Sequence, residues 1–428
     1  MGKEYFFVKT VKIAELKPYS KNARTHSPKQ IRQIAKSIKS FGFTNPVLID
    51  KDNCILAGHG RVEAAKLAGL TEVPAVVISH LTPAQKKAYI LADNRLAELS
   101  GWDKNILKVE LEELQSIEDC DFDLTLTGFD TPEIDVLLAP PDAPAPENAD
   151  FLEKSIPARV KSGDLWQLDK HKLLCADSTQ SSSFSRLLGE EKANLIVTDP
   201  PYNVKISGHV RSGEKYREFA MASGEMSQSE FSQFLKGVFT LLSEYSIPGS
   251  LHYAFMDWRH MWEILSAGMS SYTALKNVCV WNKLSGGMGS LYRSQHELVF
   301  VFKNGDAPHT NNIELGVHGR YRTNVWDYPG IFIKNKVNKA NINLHPTVKP
   351  VGLLADILLD ASPRKGLVLD PFGGSGSTLL AAERTGRQAR IIEIDPHYCD
   401  VILYRYEQMG GKELKLLQRE DINENTKK

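Results

Sequence analysis

Two patterns of hydrophobic and polar positions divide this chain of 428 residues. Beyond residue 160, short apolar runs that end in an acid alternate with segments of helical spacing. NLIVTD (194–199), GLVLD (366–370) and QARIIEID (388–395) predict buried parallel strands, and STLLAAERTG (377–386) predicts a helix that stops at a glycine. Strand, glycine loop, helix and strand make a βαβ unit, so this part predicts an α/β fold with an open, doubly wound sheet.

The first part of the chain follows a different pattern. Apolar residues recur at helical spacing in HSPKQIRQIAKSIKSFG (26–42), with Ser27 and Pro28 placed as N-cap and first turn. The short apolar runs predicted as strands are VKI, NPVLID, CILAG and EVPAVVI. GRVEAAKLAGL predicts a helix, and the pattern turns helical again from Leu81. The sequence therefore predicts a small α+β domain followed by helices.

A proline-rich stretch separates the two patterns. APPDAPAPENAD (139–150) contains four prolines in a polar context, which disfavours both helix and sheet and predicts a semi-rigid linker. The domains predicted from these patterns are an α+β domain at 1–138, a linker at 139–155, an α/β domain at 156–415 and a polar tail at 416–428.

Composition narrows the function classes only a little. Lys plus Arg and Asp plus Glu number 52 each, so any basic surface for nucleic acid has to be local. No apolar run approaches the roughly 18 residues of a membrane span. The five cysteines are scattered and never form a CxxC pair, which disfavours a disulfide framework and a metal site. These features predict a cytoplasmic protein with no metal and no membrane partner.

The loop from Asp370 to Thr378, DPFGGSGST, follows a predicted strand and opens a helix, the context in which a glycine loop holds a ligand. Glu393 stands at the end of the next strand, where an acid can accept both hydroxyls of a ribose. The loop lacks the P-loop pattern and departs from GxGxxG, so a dinucleotide is disfavoured. A tight strand–helix turn without a ligand is the alternative for this loop alone.

A second loop, Asp199-Pro200-Pro201-Tyr202, directly follows another predicted strand. The carboxylate and a proline carbonyl could accept hydrogen bonds from the amine of a flipped base, and the tyrosine ring could stack on that base. Holding the amine in this way would direct its lone pair towards a methyl donor. A proline turn that only caps the strand is the alternative.

DPPY together with FGGSGS resembles the DNA amino-methyltransferases, which methylate adenine or cytosine on the exocyclic nitrogen. The catalytic loop precedes the glycine loop, an order similar to the permuted β group of that family. GDLWQLDKHKLLCADST (163–179) and HPTVKPVGLL (345–354) resemble segments that the family places around its cofactor, S-adenosylmethionine (AdoMet). The resemblance covers about residues 160–410 and implies an AdoMet-dependent methyltransferase fold, a Rossmann-like doubly wound sheet.

The resemblance also implies roles for individual residues. The catalytic residues would be Asp199, Pro200, Pro201 and Tyr202. The cofactor residues would be Asp177, Ser178, His345, Thr347, Lys349, Asp370, Phe372, Gly373, Gly374, Ser375, Gly376 and Glu393. An aspartate in the catalytic position favours adenine over cytosine as a tendency.

Residues 203–344, between the two loops, would hold the target-recognition region. Basic side chains in it that could contact phosphate or guanine are Arg211, Lys215, Arg217, Lys283, Arg293, Arg320 and Arg322. Each of them could equally be a solvated surface charge. His296 and Glu297 are interpreted as structural residues, since no other histidine stands at metal-ligand spacing.

AGHGRVEAAKLAGL (57–70) resembles the arginine-bearing box of ParB-like domains, found in partition proteins and some phage-type fusions, and LADNRLAE (91–98) resembles a second such box. The family uses these boxes to bind nucleotide phosphates, or they have been linked to nuclease activity. The corresponding residues here are Gly58, His59, Gly60, Arg61, Asn94 and Arg95. Gly60 and Val62 stand where arginines are commoner, so DNA docking or protein contact is the alternative to nucleotide binding.

Taken together, the sequence predicts a site-specific, adenine-specific DNA methyltransferase that uses AdoMet and flips its target base out of double-stranded DNA, in a bacterial or phage-type (restriction–modification) setting. The open alternatives are the cytosine amine, RNA or a protein amide as acceptor. An alternative of another class is a partition-type DNA-binding protein with an inactive methylase half. A homodimer and a nucleotide bound to the ParB-like domain are open as well.

Overall fold

The computed structural model describes residues 7–117, 123–138, 156–203, 224–286, 291–317, 320–330 and 348–419. The chain divides into two compact units, residues 1–140 and 141–428. The predicted linker at 139–155 lies outside the described residues. Among the residues described, no helix is long and apolar enough to cross a membrane.

The first unit contains a four-stranded sheet in the order β1-β4-β2-β3. Its strands are β1 (Val8–Lys12), β2 (Val47–Ile49), β3 (Ile55–Ala57) and β4 (Glu72–Val77). Its helices are α1 (Pro28–Phe41), α2 (His59–Leu67), α3 (Pro83–Glu98), α4 (Lys104–Ser116) and α5 (Thr131–Leu138). The predicted helices, the Ser27 N-cap of α1 and the strands β2, β3 and β4 are confirmed. Strand β1 begins at Val8, before the predicted VKI, and Ile13 already lies in a 3-10 helix.

Two separate cores hold this first unit together. The sheet packs against α2 through buried side chains that include Val47, Ile49 and Val62. The later helices form a smaller cluster around Leu111, with Ile134 of α5 fully buried against it. The α+β part and the helical part therefore have cores of their own, as the change of hydrophobic spacing predicts.

The second unit is built on a ten-stranded sheet in the order β11-β9-β10-β8-β7-β12-β13-β6-β5-β14. Its strands are β5 (Leu165–Leu168), β6 (His171–Cys175), β7 (Ala193–Thr198), β8 (Ser246–Met256), β9 (Ala274–Asn282), β10 (His296–Lys303), β11 (Val325–Asp327), β12 (Leu367–Asp370), β13 (Gln388–Glu393) and β14 (Leu414–Gln418). Its helices are α6 (Ser181–Leu188), α7 (Gln228–Glu244), α8 (Met261–Ser271), α9 (Val351–Ala361), α10 (Ser377–Arg384) and α11 (Pro396–Gln408).

The five central strands, β8, β7, β12, β13 and β6, are parallel, and antiparallel strands extend the sheet on both sides. One core cluster packs α9, α10 and α11 against one face, and another packs α6, α7 and α8 against the opposite face. The doubly wound, Rossmann-like sheet predicted from the sequence is confirmed. Helices on both faces explain why the central strands are continuous apolar runs.

The end of this unit differs from the prediction. Strand β14 reaches Gln418, whereas the polar tail was predicted to begin at residue 416. Leu414 and Leu416 pair antiparallel with Leu168 and Trp166 of β5, so backbone pairing to an edge strand orders a segment of mixed polarity. Residues 420–428 lie outside the described part of the chain.

The carboxyl ends of the parallel strands meet at one edge of the sheet. Asp199 follows β7, Asp370 ends β12 and Glu393 ends β13, with β7 and β13 both hydrogen-bonded to β12. The connections leave β7 and β12 in opposite directions along the sheet, the arrangement in which open α/β sheets bind ligands. The two loops singled out in the sequence therefore lie side by side.

Candidate active site at the carboxyl edge of the large sheet

The loop between β12 and α10 is shaped by its glycines. A Cβ on Gly373 would lie 2.3 Å from Cγ2 of Ile391 on the neighbouring strand, so only glycine fits there. Gly376 is the N-cap of α10 with φ +83°, and its N–H donates to the carbonyl of Gly373 at 2.8 Å. Both constraints force the loop into a tight turn at the start of a helix.

Glu393 fixes this loop from the next strand. One carboxylate oxygen accepts the N–H of Gly374 at 2.7 Å, and the other accepts the N–H of Asp395 at 2.9 Å. Each carboxylate oxygen has a second lone pair for a further donor. Burial raises the pKa of Glu393 to about 7. Glu393 thus joins two strand ends and keeps acceptor capacity for a ligand.

Asp370 lies at the base of the loop and is buried. Its carboxylate accepts the N–H of Phe372 at 3.0 Å and the hydroxyl of Thr378 at 2.6 Å. Burial raises the pKa of Asp370 to about 8. Arg405 of α11 supports the loop from behind by donating to the carbonyl of Ser375 at 2.6 Å.

The segment after β6 completes this side of the edge. The N–H of Ala176 donates to the carbonyl of Glu393 at 3.0 Å, which places Asp177 next to the end of β13. Asp177 accepts the N–H and the hydroxyl of Thr179, each at 2.8 Å, and Ser178 is buried. The predicted cofactor residues on three strand ends are thus brought together.

On the other side of β12, Asp199 and Tyr202 form a buried polar cluster with two residues from distant parts of the chain. The Tyr202 hydroxyl lies 2.6 Å from Oδ1 of Asp199 and 3.1 Å from Oε2 of Glu297. The Lys349 ammonium lies 2.5 Å from Oδ2 of Asp199 and 3.3 Å from Oε2 of Glu297. Lys283 pairs with the other oxygen of Glu297 at 2.5 Å.

The charges in this cluster balance, two carboxylates against two ammonium groups. Burial raises the pKa of Asp199, and the Lys349 ammonium offsets part of that rise. Burial acts in the same direction on Glu297, but Lys349 and Lys283 outweigh it and hold its pKa at about 2. Burial would lower the pKa of Lys349, yet the two carboxylates raise it above its ordinary value.

Aromatic rings complete the surroundings of the Lys349 ammonium. Its nitrogen lies 5.2 Å from the ring centre of Phe255, 5.5 Å from that of Tyr202 and 5.9 Å from that of Trp281. Ring faces attract a cation, and the attraction is stronger away from water. Lys349 is therefore a buried, charged lysine, which suits it to fix Asp199 as a carboxylate.

Residues 193–404 match the family described as DNA methylase, the N6/N4 methyltransferases. Residues 3–94 match the ParB N-terminal domain. The chain belongs to the N6/N4 DNA methylase family and carries a ParB N-terminal domain. The methylase also matches the ParB-methyltransferase HTH domain at residues 105–161, a helix-turn-helix that the sequence analysis did not identify and that spans the predicted linker.

Individual relatives fall into the same two groups. The ParB-like nuclease domain-containing protein YnaK of Escherichia coli (strain K12) is 55% identical over 75 residues, which are 18% of this chain and 86% of YnaK. The type II methyltransferase M.HpaI of Haemophilus parainfluenzae is 25% identical over 248 residues, 54% of this chain and 72% of M.HpaI. The structure of the PvuII DNA methyltransferase (cytosine-N4-specific) aligns with a TM-score of 0.43 and 16% identity, over 57% of this chain and 95% of its own length.

Several residues have contacts other than those predicted from the sequence. Lys349, predicted as a cofactor residue, pairs with Asp199, predicted as a catalytic residue. Glu297, interpreted as structural, lies in the same cluster. The sequence feature that could have indicated this is an acid at the second position of a buried strand. Lys283, predicted to contact DNA, pairs with Glu297. These positions depend on the pairing of β10 with β8 and β9, which no local pattern encodes.

Other basic residues have partners within the protein. Arg320 and Arg322 are largely buried and pair with Asp356 and Asp360, at 2.6 Å for Arg320 with Asp360. Because those carboxylates neutralise them, their interpretation as phosphate or guanine contacts is replaced by a structural one. Arg293 donates to the carbonyl of Gly286 at 2.7 Å. The predicted residues that lie outside the described part of the chain are Arg211, Lys215, Arg217, His345 and Thr347.

Asn203, directly after the catalytic loop, ties two distant points of the backbone together. Its Oδ1 accepts the N–H groups of Gly224 and Met226 at 3.0 and 3.2 Å, and its amide donates to the carbonyl of Met226 at 2.8 Å. The chain therefore leaves the site at residue 203 and returns beside it at residue 224.

In the first unit, the side chains of the ParB-like box contact their own backbone. Arg61 donates to the carbonyls of Asn45 and Pro46 at 2.6 and 3.0 Å. His59 accepts the N–H of Tyr19 at 3.2 Å, and burial lowers its pKa, which keeps the ring neutral and able to accept. Gly58 has φ +100° as the N-cap of α2.

The second box lies on α3. The amide of Asn94 donates to the carbonyl of Ile90, and Arg95 forms an exposed ion pair with Glu98 at 3.0 Å. Both contacts stay within one helix, so they add little to its stability.

Proposed function

We propose that the methylase transfers the methyl group of AdoMet to the exocyclic amine of adenine in double-stranded DNA. The observation that carries this proposal is the position of Asp199 and Tyr202 beside the glycine loop, at one edge of a doubly wound sheet. The roles of the individual residues below are part of the proposal.

The residues at the ends of β12 and β13 fit AdoMet. Glu393 keeps a lone pair on each oxygen for the two ribose hydroxyls, since each oxygen accepts one backbone N–H. The glycines bring backbone close to the ligand at the start of α10. We assign AdoMet binding to Asp177, Ser178, Asp370, Phe372, Gly373, Gly374, Ser375, Gly376 and Glu393, with His345 and Thr347 added from the sequence. The solved structures that align with this chain include a complex of M1.HpyAVI with SAM.

The target amine binds at the catalytic loop. Asp199 accepts one N–H of the amine and the carbonyl of Pro200 accepts the other, which holds the nitrogen with its lone pair free. Pro201 stiffens the loop, and Tyr202 holds Asp199 by its hydroxyl. A base inside the duplex cannot reach this buried loop, so the target nucleotide is flipped out.

AdoMet, when bound, supplies an electrophilic methyl group on a positively charged sulfur. A bond forms between the amine nitrogen and the methyl carbon while the carbon–sulfur bond breaks, and the amine then has one proton in excess. Asp199 is the group placed to take that proton, because burial raises its pKa while Lys349 and Lys283 hold the pKa of Glu297 at about 2. Lys349 stays charged and does not accept it.

The choice of adenine rests on the aspartate at position 199. The match to the family described as DNA methylase supports DNA as the acceptor. We propose that the first unit docks DNA and that Arg61 serves its structure, since that guanidinium holds backbone carbonyls. A cytoplasmic location in a bacterial or phage setting stays a prediction.

The test is transfer of a tritiated methyl group from AdoMet to unmethylated DNA of mixed sequence, followed by separation of the labelled nucleosides. We expect label in N6-methyladenine. Asp199→Ala should reduce the rate by more than about 10³-fold, while AdoMet affinity stays within about threefold. Glu191→Gln, which removes a partner of Arg390, is the matched control and should label normally.

Label in N4-methylcytosine would correct the base and keep the reaction. Label in RNA or protein but not DNA would correct the acceptor. Absence of label in every acceptor, with AdoMet bound, would overturn the proposed function.

A further inference from the structure

Glu297 has no part in the reaction described above, yet it is buried in contact with two groups that do. Its Oε2 lies 3.1 Å from the Tyr202 hydroxyl and 3.3 Å from the Lys349 ammonium. Its other oxygen pairs with Lys283. Glu297 reaches this position from β10, on the far side of β8 from the catalytic loop. Burying a carboxylate costs free energy unless opposite charges and hydrogen-bond donors lie beside it.

Lys349 is the partner whose charge depends on Glu297. Its side chain is 5% exposed, and a buried ammonium without counter-charge tends to lose its proton. Asp199 alone supplies one negative charge, and that carboxylate must also accept the target amine. Glu297 supplies a second negative charge that the substrate does not occupy. With both carboxylates present, Lys349 keeps its proton while Asp199 receives the amine.

Asp199 in turn depends on Lys349. The carboxylate of Asp199 is partly buried, at 22% exposed, and burial raises its pKa, so loss of the neighbouring cation favours its protonation. A protonated Asp199 has lost acceptor capacity for the amine and can no longer take the proton that methylation releases. The charge of Lys349 is therefore a condition for Asp199 to act.

We propose that Glu297 is a positioning residue of the methyl-transfer site, which holds Lys349 as an ammonium against Asp199 and so keeps Asp199 a carboxylate during the reaction. The inference rests on the proposed function and assigns to Glu297 and Lys349 a role at the target amine in place of the cofactor role predicted for Lys349.

The groups that face this cluster come from several elements. Asp199 and Tyr202 follow β7, Glu297 lies on β10 and Lys283 follows β9. Asp257, after β8, adds negative potential at Glu297, and Asp370, at the end of β12, adds it at Asp199, where Glu297 itself also raises the pKa and the Lys349 ammonium opposes it. Neither replaces Glu297, because Asp257 is held by Arg259 and Asp370 by Thr378.

The test compares wild type, Glu297→Gln and Glu297→Asp in single-turnover methyl transfer between about pH 6.5 and 9.5, with the affinity for AdoMet measured in parallel. Glu297→Gln keeps the shape and removes the charge, so the pKa of Lys349 falls. We expect its rate to drop about 10- to 100-fold near neutral pH and an alkaline decline that wild type lacks in this range. AdoMet affinity should change less than about threefold, because the glycine loop is untouched.

Glu297→Asp keeps the charge and should recover part of the rate without the alkaline decline. A Glu297→Gln variant with the wild-type rate and pH profile would overturn the inference, as would equal losses in Glu297→Gln and Glu297→Asp with an unshifted profile. If Glu297→Gln does not fold, Lys349→Gln tests the same charge, and a wild-type rate and pH profile in that variant overturn the inference. Failure of wild type to label DNA is a separate result that concerns the proposed function alone.

Discussion

In each unit a strand passes into a helix through glycine, between β12 and α10 and between β3 and α2, and the polar groups beside the two turns are used differently. Between β12 and α10, the backbone N–H of Gly374 and the side chain of Glu393 meet at the sheet edge with acceptor capacity to spare. At the start of α2, Arg61 donates to the carbonyl of Asn45 and His59 accepts the N–H of Tyr19. Similar sequence signatures therefore give a ligand cradle in one unit and a structural clamp in the other.

The difference comes from what lies opposite each loop. The β12–α10 loop lies beside the ends of two parallel strands, β7, which Asp199 follows, and β13, which ends at Glu393. The β3–α2 loop lies beside the segment around Asn45, whose carbonyls need donors. A glycine at a helix start permits a ligand site, but the neighbouring strands decide whether there is one.

The largest effect is expected when a side chain is added to the cradle. Gly373→Val places a Cβ 2.3 Å from Ile391, so the loop has to shift. We expect AdoMet affinity to fall by more than about 100-fold and the second unit to lose about 1–3 kcal/mol of stability. Calorimetric titration and urea unfolding measure both, and Gly237→Ala, at a glycine of α7 with no left-handed φ and nothing within 4 Å, is the control. Unchanged affinity in Gly373→Val would remove the loop from the AdoMet site.

The clamp is tested by Arg61→Ala. Loss of its two hydrogen bonds to carbonyls should lower the free energy of unfolding of the first unit by about 2 kcal/mol and leave methyl transfer per folded molecule unchanged. Arg95→Ala, at an exposed position on α3, is the control and should change stability little. If Arg61→Ala instead keeps its stability and loses binding of a nucleoside triphosphate, the box is a ligand site and the comparison fails.

A smaller effect is expected from Glu393→Gln. The amide nitrogen of Gln cannot accept the N–H of Gly374 or Asp395, so one contact that shapes the loop is lost. We expect about tenfold weaker AdoMet binding, against no change in Glu191→Gln. Wild-type affinity in Glu393→Gln would assign the ribose to another residue.

The smallest effect concerns the pH dependence of stability. The pKa of Asp370 is about 8 in the fold against an ordinary value of 3.8, so the folded chain holds more protons than the unfolded chain between these values. Its contribution to the free energy of unfolding therefore falls as pH rises through this window. Asp370→Asn should flatten that slope in urea unfolding between about pH 5 and 8, and an unchanged slope would contradict it.

Local patterns were sufficient to predict most of the fold. The acid-terminated apolar runs at β7, β12 and β13 indicated parallel strands because both faces of those strands are buried. Ser27 and Gly42 marked the two ends of α1 for the same local reason, since caps satisfy backbone groups at helix ends. The loops at Asp199 and Gly373 were also visible, because glycine and proline act on their own backbone.

The cluster around Asp199 could not be predicted in full. Glu297 and Lys349 stand 98 and 150 residues away from Asp199 in the sequence, and only the strand order brings them together. Burial also reverses the usual interpretation of a lysine, since Lys349 is held by two carboxylates and three rings instead of facing solvent. Position in the sheet, which follows from long-range pairing, determines these roles.

Asn203 affects how well the chain tolerates changes of length in the segment that follows it. Because its side chain fixes Gly224 and Met226 beside residue 203, the segment in between starts and ends at one point of the scaffold. The entropy of closing such a loop grows only with the logarithm of its length. Segments of other lengths can therefore replace the one between residues 203 and 224 at little cost in stability.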